Sequence, residues 1–233
     1  MAQLYRLSRR DFLRASGLTA ASVTLAACAP AQLNVEAPVA NADEALQRLK
    51  EGNERYVANK SIDLNESQSR RIELAKGQNP FATIFSCVDS RVPPELIFDR
   101  GLGDLFVIRT AGQVIDNAVL GSLEFGVAEL KIPLLLVLGH EKCGAVKATV
   151  EAVENNGTAE AEINWLVDGI RPAVEVAKMQ SGDLLDNAVK ANVLLTVERL
   201  KRSSILSEAL EKGALKIIGA RYDLDTGIVE VII

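Results

Sequence analysis

Histidine occurs once in this chain of 233 residues, tryptophan once and cysteine three times. So few cysteines exclude the disulfide framework that staples small secreted domains, and each sulfur becomes informative about chemistry instead. A basic excess is missing too. The formal net charge is −5, and it falls to −8 once the four arginines and one aspartate of residues 1–27 are set aside. Nucleic acid is therefore not an expected partner. No internal repeat is present. What remains is 48% hydrophobic and 24% charged, which supplies one sizeable core and predicts one catalytic domain.

The N-terminus reads as an address. Ser8, Arg9, Arg10, Asp11, Phe12, Leu13 and Arg14 form a twin-arginine pattern, followed by the weakly apolar run Ala15 to Ala27. Residues 1–28 are thus expected to be a bacterial Tat export signal. The run is short of the roughly 20 residues that a spanning helix needs, which argues against a permanent transmembrane anchor. Leu25-Ala26-Ala27-Cys28 matches a lipobox, in which Cys28 is diacylated and becomes the first mature residue. A competing A-x-A site, Ala29-Pro30-Ala31, would leave a soluble protein. The lipobox is preferred because Cys28 has no other evident task. The expectation is a periplasmic lipoprotein that meets the membrane through Cys28. Residues 29–41, with Pro30, Pro38 and several Ala and Asn, predict a flexible tether, and residues 42–233 the catalytic domain.

In the body, Ala45, Leu46, Leu49, Tyr56 and Val57 recur at helical spacing, with Asn41 or Asp43 placed to cap, and predict an amphipathic helix over 42–58. A short helix is predicted over 66–77. Three apolar runs, 81–86, 105–108 and 133–138, are bounded by Gly, Pro or Asp and read as buried strands. Helical stretches near 93–98 and 117–130 lie between them, the alternation of a parallel sheet. Further helices are predicted over 143–153, 162–178 and 184–211. The segments 215–220 and 228–232 flank the turn Asp223-Leu224-Asp225-Thr226-Gly227 and predict a last parallel strand and an edge hairpin. The fold class is α/β: a mostly parallel central sheet of about five strands flanked by helices, with an antiparallel C-terminal edge strand.

Ligand sites in such sheets gather beyond the carboxyl ends of the strands. Two polar clusters lie there: Cys87-Val88-Asp89-Ser90-Arg91, and Gly139-His140-Glu141-Lys142-Cys143-Gly144. Taken singly, each cysteine reads as a small core residue, the histidine as a packing residue, and Asp89 with Arg91 as a loop ion pair. The combination is different. Cys87, His140 and Cys143 offer two thiolates and an imidazole, a donor set that suits one Zn2+ per chain and leaves a fourth position for water, as catalysis requires. The H-x-x-C spacing puts two ligands about one helical turn apart. Export of an already folded chain agrees with this chemistry, since the thiolates take up metal in the reducing cytoplasm first.

This pair of motifs resembles the β-class carbonic anhydrases. Val92-Pro93, Glu95, Arg109-Thr110-Ala111-Gly112, Ala145, Asn192-Val193, Gly219-Ala220-Arg221-Tyr222-Asp223 and Thr226-Gly227 extend the likeness from about residue 42 to the end. The resemblance implies reversible hydration of carbon dioxide to bicarbonate, with Asp89 accepting a hydrogen bond from the nucleophile and Arg91 holding Asp89 off the metal. If that pair breaks, Asp89 becomes a fourth ligand. It also implies that Gln78, Phe106, Ala111 and Gly144 line the substrate pocket, some of them from a neighbouring subunit of a homodimer or tetramer. Two positions depart from the family pattern. Ile84 stands where the bicarbonate-inhibited subgroup has tryptophan, which argues against allosteric bicarbonate control, and Thr110 stands where many members have asparagine. With His140 on the metal, no histidine is left to shuttle protons. Carbon disulfide or carbonyl sulfide hydrolysis on the same site, and a catalytically silent zinc scaffold, are the alternatives; the Asp89–Arg91 pair argues against the scaffold.

Overall fold

Asn41 opens the first helix. Its side chain accepts hydrogen bonds from the Asp43 and Glu44 amides at 3.0 Å, and the acidic first turn complements the positive helix end. This helix, α1 (Ala42–Val57), buries Ala45 and Leu49 against the sheet. The residues just before it lie along the domain: the Ala37 carbonyl accepts from Arg48 Nη2 at 2.8 Å, and Val39 packs on the same apolar cluster. This computed structural model describes residues 37–62 and 65–233; the expected signal, Cys28 and residues 29–36 of the expected tether lie outside the described residues. Among those described, no helix is long and apolar enough to cross a membrane.

Five strands form one sheet in the order β2-β1-β3-β4-β5. They are β1 (Ala82–Ser86), β2 (Leu105–Arg109), β3 (Leu134–His140), β4 (Lys216–Tyr222) and β5 (Val229–Val231). The first four run parallel, and β5 pairs antiparallel with β4 at the edge. Every residue of β1 and β3 is buried, which is why both read as continuous apolar runs rather than alternating ones. Ile84 and Leu136 face the layer built on α1, whereas Phe85 and Val137 face the layer built on α4 (Asn117–Ala128), α7 (Leu184–Leu200) and α8 (Ser204–Glu211). The remaining helices are α2 (Gln68–Leu74), α3 (Pro94–Ile97), α5 (Gly144–Glu154) and α6 (Ile163–Ala177).

One expectation is corrected. The single helix expected over 184–211 is two, broken at Lys201–Ser203. Ser203 starts the second, accepting from the Leu206 amide at 3.3 Å and donating to the Glu124 carboxylate at 2.6 Å. No glycine or proline marks this stop; a capping serine and a tertiary partner make it. β3 also runs two residues beyond the expected strand, so that His140 is its last residue.

Asn53 ties α1 to the far edge of the sheet. It is buried, donates from Nδ2 to the Ile97 and Gly227 carbonyls at 3.1 and 2.8 Å, and accepts from the Val229 amide at 2.9 Å. Asn53→Ala strands three backbone groups and is expected to cost about 2–4 kcal/mol, read by chemical denaturation at fixed protein concentration.

Candidate metal centre

The parallel register brings the carboxyl ends of β1 and β3 together. Ser86 pairs with Leu138, so Cys87, the first residue past β1, lies beside the Gly139-His140 end of β3. Gly139 has no side chain because α7 crosses there: a Cβ would sit 2.5 Å from Val193 Cγ2. After His140 the chain turns through Lys142, whose φ of 52° is left-handed, and Cys143 stands at the N-cap of α5. The two ligands of the H-x-x-C motif therefore sit on a strand end and a helix cap rather than on one helical turn. The amides of Val146 and Ala145, at the open end of α5, favour the Cys143 thiolate.

The donor atoms of Cys87, His140 and Cys143 all lie within 4.8 Å of one another, and all three side chains are buried. The two sulfurs are 4.0 Å apart. Two ligands each about 2.3 Å from one tetrahedral ion stand about 3.8 Å apart, so the spacing suits zinc. His140 supplies the second test of fit. Its Nδ1–H donates to the Glu141 carbonyl at 2.8 Å, which leaves Nε2 as the lone-pair nitrogen, and Nε2 is buried without a hydrogen-bond partner. A buried nitrogen with no hydrogen-bond partner, within 4.8 Å of two sulfurs, fits a metal ligand. Electrostatics agree. The hydrogen bond from Cys143 pulls the Cys87 thiol down to about 4 against the opposing effect of burial, with His140 and the Gly112 and Asp89 amides adding to the fall. Cys143 is pushed up, since its proton is held in that bond and by burial. One proton leaves the pair easily; the second leaves only to a cation.

Asp89 and Arg91 stand at the rim. Arg91 donates from Nε to Asp89 Oδ1 at 2.9 Å and from Nη2 to Oδ2 at 2.7 Å, and its backbone amide adds a third bond. The Arg91 bonds hold the Asp89 carboxyl down at about 2. Asp89 Oδ2 also lies 3.8 Å from His140 Nε2, so the carboxylate borders the side of the cluster that no protein ligand fills.

Arg109, at the end of β2, has a role the sequence pattern alone did not assign. It donates from Nε to the Cys87 carbonyl at 2.8 Å and from Nη2 to the Asp89 carbonyl at 2.7 Å, gripping the loop that carries both. Gln113 was not singled out at all; its one signal is a polar residue in an otherwise small and apolar segment, yet it is 3% exposed and donates to the Leu138 carbonyl at 2.8 Å. Thr110 donates to the Val114 carbonyl at 2.8 Å and closes the 3-10 turn Ala111–Gln113. Ile84 is fully buried in the core.

Of the expected pocket residues, Ala111 precedes Gly112, whose amide touches Cys87 Sγ at 3.4 Å, and Gly144 follows Cys143 with open space where a side chain would stand. Within the single chain, Gln78 and Phe106 lie away from the three donors. Gln78 is exposed before the start of β1, roughly 16 Å of strand away from Cys87. Phe106 pairs with Thr83, three residues before the strand ends, and faces Gly126 of α4.

A family model described as carbonic anhydrase matches residues 82–229. Carbonic anhydrase 2 of Mycobacterium tuberculosis is 44% identical over 191 residues, covering 82% of this chain and 92% of that protein. Carbonic anhydrase of Mycolicibacterium smegmatis is 41% identical over 195 residues, covering 83% and 95%. A Coccomyxa β-carbonic anhydrase solved with acetazolamide has a TM-score of 0.62 at 27% identity, covering 82% of this chain and 89% of that one. A tetrameric β-carbonic anhydrase of Sordaria macrospora has a TM-score of 0.65 at 20% identity over 78% and 93%, a likeness of fold.

Cys87→Ser is expected to abolish stable zinc retention through dialysis, measured by elemental analysis. Arg109→Met, which leaves all three donors in place but frees their loop, is expected to weaken zinc by about 10–100-fold in chelator competition.

Proposed function

This chain belongs to the β-class carbonic anhydrases, and we propose that its Cys87, His140 and Cys143 hold one zinc ion beside which Asp89 and Arg91 direct the interconversion of carbon dioxide and bicarbonate. The observation that carries this assignment is the buried Nε2 of His140, without a hydrogen-bond partner, within 4.8 Å of two sulfurs and 3.8 Å from the Asp89 carboxylate. Zinc in such a set supplies Lewis acidity, lowering the pKa of a coordinated water from 15.7 towards about 7. The chain's own part is orientation. The Asp89 carboxylate accepts the hydrogen bond of the attacking water and fixes where its lone pair points, while Arg91 keeps Asp89 from swinging inward. Were the Arg91 bonds to break, the Asp89 carboxylate would be free to join Cys87, His140 and Cys143 among the residues that hold the metal. Because Asp89 stays ionised from about pH 3 upward, the activity follows the water, and hydration grows with pH. The released proton leaves through solvent, buffer or a carboxylate, His140 being engaged on the metal.

Carbon dioxide is small and apolar, and Gly144, next to Cys143, leaves room for it beside that sulfur. Gln78 and Phe106 join this pocket from a neighbouring subunit, in a homodimer or a tetramer; the support is the half-exposed β2, an edge strand with no neighbour on its outer side among the described residues. Ile84 in place of tryptophan leaves the enzyme without bicarbonate inhibition. The enzyme works outside the cytoplasm: the twin-arginine pattern at Ser8–Arg14 addresses it to the Tat route and the lipobox ending at Cys28 anchors it.

The test is zinc analysis with stopped-flow carbon dioxide hydration on the mature protein at mildly acidic and alkaline pH. The expected result is about one zinc per chain and a rate that rises with pH. Asp89→Asn is expected to lower kcat by roughly 10²–10⁴-fold with zinc retained. Full zinc with no hydration at any pH would refute the assignment. For the address, mass spectrometry of the mature N-terminus is expected to find acylated Cys28; an unmodified terminus at Gln32 contradicts the anchor.

A further inference from the structure

Cys87 is also met by a buried polar network that the reaction as described does not use. The amide of Gly112 points at Cys87 Sγ at 3.4 Å. Gly112 has φ of 62° and Gln113 has φ of 53°, so two successive residues hold left-handed backbone, and the second is not glycine. Such a conformation persists only where the surroundings impose it. Two buried amides impose it here. Asn192, on α7, donates from Nδ2 to the Gly112 carbonyl at 2.7 Å and lies 3.3 Å from Gln113 Oε1. Gln113 donates from Nε2 to the Leu138 carbonyl at 2.8 Å, two residues before His140 on β3. The residues on both sides are packed tightly: a Cβ at Gly112 would meet Ile170 Cδ1 at 2.5 Å and Ala145 Cβ at 3.2 Å.

These contacts form one chain of hydrogen bonds, running from α7 through Asn192 to Gly112, through Gln113 to β3, and from the Gly112 amide to a ligand sulfur. A donor aimed at a thiolate withdraws electron density from it and fixes its direction, so the network acts on the metal through Cys87 without touching it. Resting on the zinc assignment above, we propose that Asn192 and Gln113 are positioning residues that hold the Gly112 N–H on Cys87 Sγ and so set the donor strength and direction of that ligand. The wide, open contacts of an ordinary helix-to-loop staple would not demand two left-handed residues or two buried side-chain amides joined to each other. The two side chains reach Cys87 only through the backbone, so the effect appears first in the metal's own properties.

The cobalt(II)-loaded mature protein reads this directly, because its thiolate-to-cobalt charge-transfer absorption reports the electron density on sulfur. Asn192→Asp removes the donor to Gly112, and Gln113→Glu removes the donor to Leu138, each at nearly constant volume. Both are expected to move the band to longer wavelength and to weaken zinc by about 10–100-fold in chelator competition. Asn53→Ala, destabilising but remote, is the reference for a merely structural loss and is expected to leave both readings where they are. In the wild-type protein loaded with NMR-active cadmium, the Gly112 amide proton is expected to couple to the metal through the hydrogen bond, a reading that needs no variant to fold. An absent coupling, or folded variants with an unmoved band and unchanged zinc affinity, overturns the proposal. A wild-type protein that shows no thiolate-to-cobalt band at all refutes instead the zinc assignment beneath it.

Discussion

Two neighbouring parallel strands have to end at the same level. Cys87 follows the last residue of β1 and His140 is the last residue of β3, and only the pairing of Ser86 with Leu138 sets them beside each other. A slip of one residue would turn every side chain of β3 to the opposite face and carry the imidazole away from the sulfurs. The register resists this because both strands are buried on both faces: Ile84 and Leu136 belong to the apolar layer under α1, Phe85 and Val137 to the layer under α4, α7 and α8. Each face alone would penalise a slip, and together they fix it. Cys143 then needs no strand. A left-handed turn at Lys142 and the start of α5 bring its sulfur back to the other two.

Charge is the second constraint. Two buried thiols stand beside a carboxylate at their rim, and once the thiols ionise, like charges so placed are costly unless countered. The counter-charges are divided among separate tasks. Arg91 takes both oxygens of Asp89, Arg109 takes the carbonyls of Cys87 and Asp89, and the amides at the head of α5 face Cys143. Backbone amides only partly offset the pair of sulfurs, the His140 Nε2 has no hydrogen-bond partner, and that remainder is the place of a dication. The family shared with carbonic anhydrases of Mycobacterium tuberculosis and Mycolicibacterium smegmatis gives the same answer from a different direction.

Much of this was legible in the residue order, for a definable reason. Strands buried on both faces leave continuous apolar runs, which marks β1 and β3, and the two cysteines and the chain's only histidine mark a zinc site when read together with Asp89 and Arg91 in the two motifs. What escaped depends on contacts far apart in sequence. The break between α7 and α8 rests on Ser203 meeting Glu124, 79 residues away, and no local breaker announces it. Gln113 resembles any turn residue until Leu138 and Asn192 are brought to it. The H-x-x-C spacing suggested a helical turn, because spacing alone does not distinguish four residues of helix from a strand end followed by a cap. The resemblance assigns Gln78 and Phe106 to the pocket, yet in the single chain they sit towards the other end of β1 and β2, because a motif match says nothing of where the strands carry a residue.

The central claim is a zinc centre with three protein ligands and one open position. X-ray absorption at the zinc edge of the loaded protein measures it without reference to activity. The account requires two sulfur scatterers at about 2.3 Å and two lighter atoms at about 2.0–2.1 Å, one an imidazole nitrogen and one an exchangeable oxygen. A first shell with fewer than two sulfurs, or one closed by a fourth protein nitrogen or sulfur, would contradict it.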